Sequence, residues 1–317
     1  MDEPRTGEVS ERLIGGVVAY RDGPRLQAAV DSLLAQRLPR RIVWEEIRVV
    51  VGREDEPTAS VARECATRDP RVTVLYEAER RGKSAALADI LERDGGDYFV
   101  LLNGDAEAEP GAVTALVEKA RALAQRPCGV MGRPVPVTDR IDSYTTSVHI
   151  LWAYHHRFHE IALSTGRSSH LSDELLLLSA ARRPRLPSGI VNDGAFLALS
   201  IRRASGALGY APDATVRVAI PQTFIEHLRQ RRRILWGHLQ VQDAFGQPPG
   251  TFARYAVHHP GWALRVMREE ASRHRHGVRA TALLIFGELL ATGAAIWDMR
   301  IARRSHVMWT RVALAPP

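Results

Sequence analysis

The sequence predicts an α/β protein: a mostly parallel twisted sheet flanked by helices, with a helical C-terminal extension. Three observations carry this. Short apolar runs alternate four times with segments of helical spacing in the first 124 residues, the pattern of strand–helix–strand units joined by right-handed crossovers. Each of those runs stops at a polar cluster containing a glycine, as strands do where a sheet presents its carboxyl edge to a ligand. A last apolar stretch, ATALLIFGELLATGAAIW from Ala280 to Trp297, stands apart from the alternating region.

The elements follow in order. Leu13 to Tyr20 (LIGGVVAY) is the first strand, ending at Arg21-Asp22-Gly23-Pro24, and Leu26 to Gln36 has helical spacing. Ile47 to Val51 is the second strand, closed by Gly52 to Thr58, with Thr58 placed to cap a helix from Ala59 to Thr67. Val72 to Tyr76 is the third, followed by EAERRGK and a helix from Ser84 to Leu91. The fourth, Tyr98 to Leu102, stops at Asn103-Gly104-Asp105; Glu107, Glu109 and Pro110 precede a helix from Gly111 to Ala124. Beyond a strand at Gly129 to Gly132 the pattern changes. A helix from Ser143 to Leu163 carries Trp152, His155, His156 and His159, and Leu175 to Ala181 leads into RRPRLPSG. Asp193 and Gly194 precede a helix from Phe196 to Ile201, Ala207 to Ala211 and Thr215 to Val218 are short strands, and Phe224 to Gln240 is a basic helix.

Composition sets limits. The 317 residues are 45% hydrophobic and 25% charged, which is globular and enough chain for one large or two small domains. Cys65 and Cys128 give neither a disulfide framework nor a metal-ligand spacing, as suits a reducing cytosol. MDEPRTGEVSER is polar, so no signal peptide is expected. The net charge of +7 is concentrated at Arg229 to Arg233 and Arg265 to Arg279. Such patches attract phosphates, although an arginine-rich solvated surface would give the same count. No nucleic-acid-binding motif accompanies them, and no nucleic-acid partner is expected.

The chemistry concentrates at a few places. Asn103-Gly104-Asp105 at a strand end can hold a hard divalent cation through oxygen, or can be an ordinary turn. No P-loop and no glycine-rich dinucleotide loop occurs. Arg80-Arg81-Gly82-Lys83 is the nearest substitute, a glycine beside a point charge, and equally a helix start with exposed bases. His155 and His159 have the spacing of a metal pair without the accompanying Glu, so packing or acceptor contacts are the favoured reading. Asp193 is a carboxylate at a helix start, with capping as its plain alternative.

Taken together, these strings resemble the inverting glycosyltransferases of family 2, which have the GT-A fold. Val17 to Asp22 (VVAYRD) sits where that family has an apolar strand ending in a P-A-Y-N-E-like sequence. Arg81 to Leu87 is similar to its G-K-x-x-A-L segment, Asn103 to Pro110 to its D-x-D motif with trailing E-P, and Val191 to Asp193 to its T-E-D or E-D motif. Gly209 to Val216 resembles G-x-x-x-x-P-D-A, and Gln230 to Ile234 resembles Q-x-x-R-W. The resemblance spans about Leu13 to Gln240. Asn103 replaces the first Asp of D-x-D, D-D-G-S is absent after the second strand, Asn192 stands where Glu is commoner, and Ile234 replaces the Trp of processive members.

The resemblance implies transfer of a sugar from a nucleotide-diphosphate donor to an acceptor hydroxyl on a small or lipid-linked molecule. Asp105 would hold Mn2+ or Mg2+ and Asp193 would be the general base. Ala19, Tyr20, Asp22 and an acid of Glu54 to Glu56, with Asp55 the chosen one, would hold the nucleoside. Arg81, Lys83, Asn103, Gly104, Gln230 and the Arg231 to Arg233 cluster, Arg232 and Arg233 above all, would line the phosphates, with His238 framing the pocket. It also implies a nucleotide-sugar-binding half at 1–140, an acceptor half at 141–250 and a helical extension at 251–317. A sugar-nucleotidyltransferase, or a transferase degenerated into a binding protein, are the competing readings.

Ala280 to Trp297 is about as long as the shortest spans, near 17 residues, but Glu288 lies in its middle, a costly place for a charge in lipid. A buried or interfacial helix is therefore expected. With Trp262, Trp297, Trp309 and the Arg/His run before it, peripheral contact with the inner face of the cell membrane is the expectation for an otherwise cytoplasmic protein.

Overall fold

The computed structural model describes residues 10–123, 127–164 and 170–308. Ala124, Trp309 and most of the N-terminal stretch named above lie outside them. The first half alternates as expected: β1 (Glu11–Val18), α1 (Pro24–Leu34), β2 (Ile42–Gly52), α2 (Glu56–Arg68), β3 (Val72–Glu77), α3 (Lys83–Leu91), β4 (Tyr98–Asn103), then a short β5 (Ala106–Ala108) and α4 (Ala112–Leu123). The second half holds β6 (Cys128–Val137), α5 (Ser143–Ser164), β7 (Leu175–Ser179), α6 (Asp193–Arg203), β8 (Ala207–Ala219) and α7 (Phe224–Phe245). Three helices close the chain, α8 (Phe252–His258), α9 (Pro260–Ser272) and α10 (Gly277–Arg300).

All eight strands form one sheet, in the order β3-β2-β1-β4-β7-β6-β8-β5, continuous across residue 140. The β3-β2-β1-β4 part is parallel. β7 runs antiparallel to both β4 and β6, β6 and β8 are parallel, and β5 is antiparallel to β8. The apolar runs are nearly continuous because both faces are covered. On one face Leu13, Val17, Val49, Val100 and Leu102 meet α1, α2 and α4 through Val30, Ala62 and Leu116. On the other, Ile14, Val50, Phe99 and Leu101 meet α3 and α6 through Ile90, Leu197 and Ile201.

Three local expectations change. Thr58 does not cap α2: it is fully buried inside the first turn, and its hydroxyl accepts from the Asp22 and Gly23 amides at 3.1 and 3.3 Å. The cap of α6 is Asn192, whose side chain accepts from the Ala195 amide at 2.9 Å, so Asp193 is released from capping. The two short strands after α6 are one strand, β8, because β6 continues past Gly132 and pairs Arg133–Val137 with Thr215–Ala219. Pro212, without an amide hydrogen, falls where the register slips and no ladder donor is needed.

α10 packs on α5 and α7, and Glu288 there accepts from Arg231 of α7 through Nε and Nη2 at 2.6 and 2.9 Å. α10 is long and apolar enough to cross a membrane, and most of its apolar length is not buried against the body, so it is not the buried core helix that the sequence also allowed.

Arg48 is a buried cation in β2 that fixes the turn leading into β4. Its guanidinium donates to the carbonyls of Ile90, Arg93 and Asp94 at 2.8, 3.2 and 2.8 Å and to Glu46 Oε2 at 2.6 Å. Arg48→Met leaves those acceptors unpaired, so stability in urea should fall by about 2–4 kcal/mol with an unchanged slope; a loss below about 1 kcal/mol would show that water replaces the guanidinium.

Candidate active site

The loop after β1 is clamped from behind. Thr58 holds the Asp22 and Gly23 amides, Asp55 accepts a hydrogen bond from the Arg21 amide, and the Asp22 carboxylate accepts from the Tyr20 amide at 2.7 Å. Arg21 takes φ +55° under this constraint. The Arg80 guanidinium lies 3.5 Å over the centre of the Tyr20 ring. The β4 turn seats directly on this loop: the Gly104 amide donates to the Val18 carbonyl at 3.1 Å, and a Cβ on Gly104 would come within 2.8 Å of both Ala19 Cβ and Asp22 Oδ2. Only glycine allows that approach, and it sets Asp105 in the same cavity wall as Asp22.

Antiparallel β7 delivers what the sequence reading missed. Leu175 pairs with Leu102, so Glu174 and Asp173, just before β7, arrive at the carboxyl edge of β4. The Asn103 amide donates to Glu174 Oε2 at 2.5 Å. Asp173 takes a hydrogen bond from Lys83, whose Nζ also lies 3.4 Å from Asp193 Oδ2. Gly194 makes this meeting feasible, since a Cβ there would stand 2.2 Å from the Leu171 carbonyl oxygen. A signal for these acids was present in LSDE, carboxylates abutting an apolar run, but it acquires meaning only once the strand direction is known.

Electrostatics separates the acids. Burial, with the neighbouring charge of Asp173, pushes Asp193 up to about 7. Burial, with the charges of Asp173 and Asp105, raises Glu174 to about 8. Asp173 is held well below the usual carboxylate range: burial opposes its charge, and the Lys83 ammonium and its hydrogen bond outweigh that. Lys83 is pushed above its ordinary value by the carboxylates around it, against the cost of burial.

A cavity of about 670 Å³ opens over these groups. Ala19, Tyr20, Asp22, Lys83, Asn103, Gly104, Asp105, Gln230 and Arg233 line it, as do Asp173 and Glu174. Asp193, 2% exposed, lies behind the lining residues Lys83, Asp173 and Asn192. Asp55 lies in a neighbouring groove with Tyr20. Two expected phosphate contacts lie outside the cavity wall: Arg81 pairs with Asp89 and, at 3.5 Å, with Glu77, and Arg232 pairs with the fully buried Asp298, which also meets His306 at 2.7 Å. Glu107 and Glu109 face Arg217 at 3.9 and 3.7 Å.

The histidines gather in a second arm of the cavity. His155, His159, His170 and His238 have ring centres 5.2–6.4 Å apart in sequence, with His170 and His238 Nε2 atoms 3.3 Å from one another. Burial depresses all four, His155 to about 3 and His170 to about 4, so they are neutral imidazoles.

Among the described residues no group of three or more His, Cys, Asp or Glu is arranged to enclose a metal ion. What is present fits a cation with an open shell: the Asp105 carboxylate and the Asn103–Glu174 pair supply hard oxygen donors on one wall, with room for phosphate and water oxygens. Such sharing is usual for Mg2+. Burial, and after it the charges of Asp173 and Asp105, raise the proton affinity of Glu174, and a cation beside these carboxylates would lower it again.

A family model, "Glycosyltransferase like family 2", matches residues 16–237. The chain belongs to this family, and it is a glycosyltransferase. No curated protein matches it in sequence. Among solved structures, a mannosyltransferase from Pyrobaculum calidifontis, in complex with GDP-Man and Mn2+, is 20% identical over 93% of this chain and 83% of its own, with a TM-score of 0.55. TarS residues 1–349 from S. aureus is 11% identical over 92% and 75%, at 0.49. The likeness is one of fold: this transferase has the GT-A-like architecture, a mixed sheet flanked by helices.

The raised Asp193 fixes a pH dependence. A carboxyl whose folded value exceeds its unfolded one binds more protons in the native state, so its contribution to stability declines as pH rises from about 4 to about 7. Asp193→Asn removes that cost. By urea unfolding the variant should gain on the wild type, on the order of 2 kcal/mol at pH 8 and near zero at pH 4; a gap that does not grow with pH would refute the assignment.

Proposed function

We propose that this family 2 transferase moves a sugar from a nucleotide-diphosphate donor to an acceptor hydroxyl with inversion at the anomeric carbon. The observation that carries the proposal is Asp193, buried beside Lys83 and Asp173 immediately behind the cavity wall, where burial and the Asp173 charge raise its proton affinity to about 7. A base is most effective when its proton affinity lies near the working pH. Asp193 takes the acceptor's proton as the hydroxyl attacks, and Lys83 and Asp173 hold the carboxylate in place. Attack opposite the leaving group inverts the configuration.

The donor lies along the carboxyl edge of β1 and β4. Ala19, Tyr20 and Asp22 take the nucleoside, with Asp55 shaping their loop from behind. The leaving diphosphate meets Lys83, Gln230 and Arg233, with Asn103 and Gly104 at the β4 turn. Arg81 and Arg232 act on the phosphates only indirectly, through the segments they tie down. A divalent cation, Mn2+ or Mg2+, held by Asp105 with help from Glu174, would supply Lewis-acid stabilisation of the diphosphate charge. The Pyrobaculum mannosyltransferase, with its GDP-Man and Mn2+, supports this donor and metal class. The neutral histidine arm, bounded by Trp152 and Tyr210, is the acceptor side.

Calorimetry with UDP, GDP, CDP and dTDP, with and without Mn2+, tests the donor site. One diphosphate should bind in a metal-dependent way, and Asp105→Ala should abolish that dependence. Asp193→Asn should keep the binding and lose about 10²–10⁴ in turnover. Full turnover in Asp193→Asn, or no binding of any diphosphate, would overturn the proposal. Binding without turnover of any sugar nucleotide by the wild type would leave a retained binding protein as the better reading.

A further inference from the structure

A surface helix ordinarily turns its apolar stripe to the body and its polar stripe to water. α10 is built the other way round. Its body-facing positions are mostly small, Ala280, Leu284, Gly287, Ala291 and Ala295, seated against α5 and α7. Its outward positions are Ile285 (44% exposed), Phe286 (56%), Leu289 (69%), Leu290 (47%), Ile296 (45%) and Trp297 (59%). Between Arg279 and Arg300 the outward strip carries no charge, and its length is about 30 Å. Exposed arginines stand at both ends, Arg275 and Arg279 at one, Arg303 and Arg304 at the other.

We propose that this strip docks the protein on one face of an anionic lipid bilayer without crossing it. An outward apolar strip with cationic ends suits the interfacial plane, where side chains enter the acyl boundary and arginines meet headgroups. Crossing is disfavoured by the body-facing side: Glu288 is held by Nε and Nη2 of Arg231, and Asp298 by Arg232 and His306. A spanning α10 would have to break those pairs and carry the two acids into lipid. A second copy of the chain is a poorer occupant. With arginines at both ends, parallel or antiparallel pairing of two strips lays like charges together.

Docking has a consequence for the substrate, which rests on the transferase reading above. Ile285 and Leu289 belong both to the outward strip and to the cavity wall, so the docked protein opens its cavity at the lipid surface. The acceptor hydroxyl is then carried by a molecule with an apolar chain that remains in the membrane.

Co-sedimentation of the full chain with vesicles of phosphatidylcholine, and of phosphatidylcholine mixed with phosphatidylglycerol, tests the docking. Binding should favour the anionic vesicles and be reversed by alkaline carbonate. The double variant Phe286→Asp/Leu290→Asp, at two positions outside the cavity wall, should lower partitioning at least about tenfold, with its unfolding transition unchanged. Arg275→Glu/Arg279→Glu should remove the preference for anionic lipid. Equal binding by the Asp variant, resistance to carbonate, or a dimer that the Asp variant dissociates in the absence of vesicle binding would each overturn the proposal. Vesicle binding without metal-dependent binding of any nucleoside diphosphate would sink the donor-site proposal above and leave the docking intact.

Discussion

One half-buried cation organises the centre of this molecule. Lys83, at the first turn of α3, is shared by Asp173 before β7 and Asp193 at the start of α6. These three segments come from distant parts of the chain, and the buried Asp193 would be costly to charge without a cation beside it. The cluster is asymmetric. Asp173 takes the hydrogen bond and keeps its charge, whereas Asp193 is left with a proton affinity near neutrality. One lysine between two carboxylates thus yields an anchor and a base from the same residue type, set apart by environment alone.

The direction of β7 is what makes the cluster geometrically available. A parallel strand in that slot would carry Asp173 and Glu174 to the far edge of the sheet. Running antiparallel, it sets them against Asn103 and the β4 turn. The same reversal gathers acids around Asp105; burial first, and then the charges of Asp173 and Asp105, raise Glu174. Two close backbone approaches, Gly104 on Ala19 and Gly194 on Leu171, let the three edges meet without a side chain between them.

The arginines of α7 divide their labour. Arg231 and Arg232 hold the C-terminal extension through Glu288 and Asp298, and Arg231, with Glu288, also lines the cavity beside Arg233. The extension therefore belongs to the same electrostatic network as the site. Its outer face, free of charge between two basic ends, is left to interact with something other than water.

The sequence by itself determined the alternating βαβ half, the strand ends at which Asp22, Lys83 and Asp105 appear, and the family. These follow from local patterning: apolar runs stopped by turn formers, and short strings in a fixed order. Boundaries slipped where local signals were equivocal. Thr58 looked like a cap and became a clamp for the β1 loop; Asp193 looked like a cap and was freed by Asn192. Only the tertiary structure decided the antiparallel β7, the arrival of Asp173 and Glu174, the diversion of Arg81 and Arg232 to other acids, and the outward turn of the apolar face of α10. Strand direction and the ion pairs of Lys83 and Arg232 depend on residues 66 to 110 positions away in the chain, and periodicity carries no information over that distance; Arg81 pairs locally with Asp89, a choice that only the packed loop decides.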